Sequence, residues 1–112
     1  MITVIYHRSR HELSVCGHAG HGAVGHDLVC ASASILAYTL AAAVQNMADA
    51  GHVKRPKIVL LPGETLISCE SPPQYRVPVT LVFDTVCGGF ELLARDYPKN
   101  ISYEIEGGTQ WN

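Results

Sequence analysis

Residues 17–32, GHAGHGAVGHDLVCAS, hold three histidines, four glycines, one aspartate and one cysteine, directly ahead of a long uncharged segment. Imidazole and thiolate serve two chemistries. Together they ligate zinc; as a pair, the first activates the second as a nucleophile. A third reading is a glycine loop leading into a buried helix.

The metal reading takes Cys16, His18, His21, His26 and Cys30 as ligands. Their pattern, C-x-H-x2-H-x4-H-x3-C, matches none of the usual structural-zinc spacings, and glycines between ligands raise the cost of ordering a site. The nucleophile reading needs only Cys30 and His18. With Asp27 as N-cap, Leu28, Val29 and Cys30 are the first three helical residues. A thiol there faces unpaired backbone N–H groups and the positive end of the helix dipole, and both favour thiolate. His18 stands twelve positions earlier, at the end of a predicted strand. Gly20, Gly22 and Gly25 let the intervening chain fold back and bring imidazole to sulfur, and they suit a lid. Ser34 lies one turn beyond Cys30 on the same helical face. The first-turn N–H groups can act as oxyanion donors. On these residues alone a second account of Cys30 stays open, a small buried residue at a helix start. Cys16, Cys69 and Cys87 read as structural, and His7, His11 and His52 as scattered and solvated.

These groups must be positioned by a framework. Residues 1–8 and 13–17 are rich in strand formers, and 9–12 suit a hairpin loop between them. The loop at 17–26 is too rich in glycine to be regular. From Asp27 a helix runs to about Ala50, favoured by Ala and Leu and closed by Gly51. Residues 57–61 and 64–70 read as two strands around a Pro62-Gly63 turn, and Lys54, Arg55 and Lys57 flank the first. Pro78 suits the first turn of a second helix. Along it Val79, Val82, Phe83, Val86, Phe90 and Leu93 make one apolar face at helical period. Gly88-Gly89 interrupts that face and suggests close packing. Pro98 stops the helix, and 101–106 alternates as a last strand. The order β-β-α-β-β-α-β implies one α+β domain over 1–112, a mostly antiparallel sheet with both helices on one face.

Composition narrows the function. The 112 residues suit one domain, and 47% hydrophobic content fills a core. Eight basic against ten acidic side chains leave no basic stripe for nucleic acid. Leu28–Ala48 carries no charge, but its Ala, Ser, Thr and Gln content suits a helix pressed on a sheet or a second protomer better than a membrane span. The N-terminus lacks the profile of a signal peptide. A reducing cytoplasm with free thiols is the expected setting.

The run G-H-A-x-x-G-x-x-G-x-D-[LI]-V-C-A-x-x-S, present as Gly17, His18, Ala19, Gly22, Gly25, Asp27, Leu28, Val29, Cys30, Ala31 and Ser34, resembles the signature of the Prp family of ribosomal-processing cysteine proteases. GGFELLARDYPKNI also resembles that family's C-terminal part. The resemblance implies a small homodimeric cytoplasmic protease that removes the N-terminal extension of a large-subunit ribosomal protein. It implies Cys30 as nucleophile, His18 as general base, and Gly17, Asp27 and Ser34 as supporting positions. The loop with Gly20, Gly22 and Gly25 becomes a substrate-gating flap. No cofactor, metal, nucleic acid or membrane is called for. His21 and His26 add titratable groups beside the thiol. The alternatives are a phage-type relative with another substrate, or a non-catalytic zinc-binding or ribosome-associated assembly module.

Overall fold

The computed structural model describes residues 1–18 and 26–107, the side chains of His26 and Asp27 excepted. Five strands and two long helices follow the expected order: β1 Ile2–His7, β2 Glu12–Cys16, α1 His26–Asp49, β3 Lys54–Leu61, β4 Glu64–Glu70, α2 Arg76–Asp96 and β5 Ile101–Glu106. Short 3-10 turns at Arg8–Arg10 and Pro73–Tyr75 complete it. The sheet order is β3-β4-β2-β1-β5. Every neighbouring pair is antiparallel except β1 and β5, which run parallel.

Alternation along β1 explains the layers. Ile2, Val4 and Tyr6 are buried while Thr3 is exposed, the signature of a strand with one covered face. Leu13, Ile67 and Cys69 continue that face on β2 and β4. On α1, Val29, Ala33, Ala37, Leu40, Ala41 and Val44 form the buried stripe, and Val79, Phe83, Cys87 and Phe90 form that of α2. Both stripes join the sheet residues in one hydrophobic core. The stretches Leu28–Asp49 and Pro73–Asp96 are each long and apolar enough to cross a membrane; here one stripe of each is packed inside the domain.

Helix ends follow local chemistry. Gly51, at φ +79°, lets α1 finish in a Schellman motif: its N–H donates to the Ala48 carbonyl at 3.0 Å, and the His52 N–H to Met47 at 2.8 Å. At its start, α1 departs from expectation. It begins at His26, so Asp27 is its second residue rather than its cap, and Cys30 is its fifth. Gly88-Gly89 does not interrupt α2. Gly89 sits where a Cβ would come within 2.7 Å of Leu36 Cδ2, so it admits α1 at the helix crossing, whereas Gly88 faces open space. Lys54, Arg55 and Lys57 lie inside β3 and not beside it. A register shift between Lys54 and Lys57, with Arg55 at φ +49°, absorbs Pro56 into the strand.

The reading of His11 as solvated is overturned, while His7 and His52 keep part of their surface in solvent and are otherwise engaged. His7 is half-buried, with Nδ1 2.8 Å from Glu106. His52 is half-buried and stacks on Tyr75, ring centroids 4.3 Å apart. His11 is 2% exposed, with Nε2 2.7 Å from Thr80 Oγ1 and its ring stacked on Phe83. Beside it, Asp84 accepts from the Tyr6 hydroxyl at 2.8 Å and from two nitrogens of Arg8 at 3.0 and 3.1 Å. Burial, then the bond to Asp84, pushes the Tyr6 phenol far above its ordinary value. Sequence spacing could not foresee this cluster, because its members lie up to 78 positions apart.

Burial, then the positive charge of Arg76, lowers the His11 pKa; Arg8 adds to this and Asp84 opposes it. The unfolded chain therefore binds a proton at His11 more readily than the folded one. That contribution is present above the ordinary histidine value of about 6.5 and is lost as pH falls from there toward the lowered folded value. The melting temperature is expected to be lower at pH 5 than at pH 7.5. His11→Asn, which tolerates the left-handed backbone at φ +48°, should flatten this dependence in calorimetry over the same range.

Candidate active site

One cleft of about 300 Å³ opens where the ends of β2 and β3 meet the first half of α1. From α1 come Cys30, Ala33, Ser34, Ala37 and Tyr38, at i, i+3, i+4, i+7 and i+8 on one helical face. Ile2, Val15, Leu60 and Thr65 supply the sheet side. Gly17, His18 and the β3–β4 turn close the end. The structure thus brings together His18, Cys30, Ser34 and Gly17 of the sequence-derived set. Gly20, Gly22, Gly25 and His21 lie outside the described residues, as do the side chains of Asp27 and His26.

His18 is held by backbone geometry on three sides. Gly17 at φ +99° donates its N–H to the Gly63 carbonyl at 3.0 Å, extending the β2–β4 ladder past Cys16. A Cβ on Gly17 would run into the Met1 carbonyl oxygen. The Met1 amino group donates to the His18 carbonyl at 2.7 Å. The ring itself lies against Gly63, where a Cβ would stand 2.6 Å from His18 Nε2 and 2.9 Å from Cε1. Gly63 also has φ +74° as the second residue of the Pro62-Gly63 turn. Sequence reasoning saw that turn only as a connection. Its contact with the histidine depends on the Cys16–Glu64 register.

The four cysteines are not equivalent. Cys30 is half-buried and is the one that lines the cleft. Burial pushes the Cys69 thiol up to about 11, and burial followed by the Asp84 charge raises that of Cys87 further. Both are core groups. Cys16 is exposed, its Sγ 3.6 Å from Ser14 Oγ. Cys30 is thus the partly accessible thiol that shares a cleft with the His18 imidazole.

Residues 1–102 match the family model described as cysteine protease Prp. The chain belongs to the Prp cysteine protease family. It is therefore a cysteine protease, and the resemblance in its glycine-rich signature holds. Among solved structures, the essential ribosomal processing protease Prp from S. aureus, in complex with a covalently linked product peptide, is similar at 25% identity. It covers 95% of this chain and 100% of that one, with a TM-score of 0.72. SMU.848 from Streptococcus mutans is 26% identical over 94% of this chain and 91% of its own, with a TM-score of 0.66. The S. aureus protease in complex with a substrate peptide shares the fold at 22% identity, with a TM-score of 0.67 over 94% of this chain and 97% of that one. No curated protein sequence matches the chain.

Gly63→Ala tests the platform under the imidazole. The added Cβ must displace the His18 ring, and its left-handed backbone costs about 1–2 kcal/mol. The variant is expected to melt a few degrees lower, to shift the His18 imidazole resonances in NMR, and to lose most peptide cleavage. Wild-type cleavage with an unmoved ring would contradict the geometry.

Proposed function

We propose that this Prp-family protease removes the N-terminal extension of a large-subunit ribosomal protein, with Cys30 as nucleophile and His18 as general base. The observation that carries the reading is the shared cleft, which Cys30 lines from α1 and His18 from the segment after β2. The S. aureus relative named as a ribosomal processing protease supports the substrate class.

In this mechanism His18 takes the proton from Cys30 Sγ, and the sulfur attacks the scissile carbonyl carbon. The resulting oxyanion meets backbone N–H groups of the first turn of α1, which have no partner within the helix. Collapse breaks the C–N bond, and the protonated imidazole gives its proton to the leaving amine. Water, deprotonated by His18, then hydrolyses the thioester and returns the thiol. Ser34 stands one turn beyond Cys30 and supports the site with a hydrogen bond. Gly17 gives the turn that His18 needs. Asp27, in the first turn of α1, sets site geometry, and the loop of Gly20, Gly22 and Gly25 gates peptide entry. The reading places the enzyme in the cytoplasm, where its substrate is made.

It also takes the enzyme as a homodimer. Leu28 and Ile35 on α1 and Val77, Leu81 and Leu92 on α2 are exposed apolar side chains that a second protomer would cover. Sedimentation at micromolar concentration should return a dimer; a strict monomer removes this part.

Incubation with the extended ribosomal protein, followed by mass spectrometry, should give one N-terminal cut. Cys30→Ala should abolish it, and His18→Ala should slow it by about 10²–10⁴-fold, the usual contribution of a general base. Trimming at the wild-type rate by Cys30→Ala would sink the assignment.

A further inference from the structure

We infer that the substrate peptide binds as an added β-strand along the Ile58–Leu61 half of β3, entering the cleft from that edge. The inference deepens the protease reading above and rests on it.

β3 is an outer strand whose described neighbour is β4. The direction of each of its backbone groups follows from two bonds outside the regular ladders. Gly17 N–H donates to the Gly63 carbonyl, and Cys69 N–H to the His11 carbonyl at 3.2 Å. Antiparallel hydrogen bonding alternates from residue to residue. Thr65, Ile67 and Cys69 therefore bond toward β2, and Glu64, Leu66 and Ser68 toward β3. The β3 partners of those three are Leu61, Val59 and Lys57, whose backbone groups point inward. The N–H and C=O of Ile58 and Leu60 consequently point away from the sheet, and among the described residues no backbone bond satisfies them.

Parts of the sheet's outer edges are protected in recognisable ways. The first half of β3 carries Lys54, Arg55, Pro56 and Lys57 with a bulge, which are devices against strand addition. The far edge, β5, carries Glu104 and Glu106. Two edge stretches are uncharged, unbulged and without proline, Ile101–Tyr103 on β5 and Ile58–Leu61 on β3, and only the β3 stretch lines the cleft. This open half is also the half that reaches the catalytic cleft, which Leu60 and Leu61 line together with Cys30. An unprotected edge is a liability unless something binds there, and the proposed substrate is a polypeptide.

Side-chain direction fits as well. Ile58 and Leu60 share a face with their partners Ile67, which is buried, and Thr65, which lines the cleft. That is the helix side of the sheet. A peptide residue opposite Leu60 would project its side chain to the same side, toward Tyr38 and Cys30. Backbone pairing would supply affinity, and alternate side chains would enter the cleft.

The test is an N-methyl scan of a synthetic peptide spanning the extension junction of the ribosomal protein. Binding to full-length Cys30→Ala separates recognition from chemistry. N-methylation at every second residue should weaken binding by about tenfold, the equivalent of one lost hydrogen bond, with intervening positions changed less than about threefold. On the protein side, Leu60→Pro removes one outward N–H at an edge position that tolerates proline, and should raise KM by a similar factor. If that variant unfolds, the peptide scan still decides. Cleavage of the unmethylated peptide by wild type, with no alternation in the scan, overturns this inference and leaves the protease reading standing. A wild-type enzyme that leaves the unmethylated peptide whole removes both.

Discussion

A single backbone hydrogen bond, from Gly17 N–H to the Gly63 carbonyl, ties the end of β2 to the β3–β4 turn, and the proposed site depends on it. It carries the β2–β4 ladder one pair beyond Cys16–Glu64. The chain leaving β2 is thereby delivered under the turn, with His18 against a glycine that has no side chain to displace the ring. A residue slip in this ladder would turn every side chain to the opposite face. The hydrophobic face of Leu13, Ile67 and Cys69 forbids such a slip, so the core fixes the position of the histidine.

The thiol is positioned by a different part of the same core. The stripe of α1 from Val29 to Val44 presses on the sheet and points the Cys30–Tyr38 face into the cleft. Small residues on that face, Ala33 and Ala37, keep the cleft open against the sheet. Gly89 allows α2 to approach α1 closely at Leu36, which braces the helix layer without a bulky contact. The thiol and the histidine thus come to line one cleft through the packing of α1 and the sheet on a shared core.

The two ends of the sheet have separate tasks. At one end the outward groups of Ile58 and Leu60 adjoin the cleft. At the other, Tyr6, Arg8, Asp84, His11 and Thr80 form a buried polar cluster over Phe83. Each of its polar atoms named here has a partner, as burial in low dielectric requires. The cluster anchors α2 to the β1–β2 connection and leaves the cleft end to the chemistry.

Much of this was legible in local sequence. Strand alternation, the Pro62-Gly63 turn, the apolar period of α2 and the Gly51 stop are short-range effects, and they placed five strands and two helices in order. Residue type and spacing singled out His18 and Cys30 as candidates, and the structure sets both on one cleft. Helix α1 starts one residue before its expected cap, since end positions depend on small energies. Other features were hidden because they are decided at long range. His11 looked solvated until Phe83 and Thr80, some 70 positions away, enclosed it. Gly63 became a platform, and Ile58–Leu61 an open edge beside the thiol, only through strand register and sheet order. Local propensity follows from each residue and its near neighbours; which edges and turns face the site follows from packing of the whole chain.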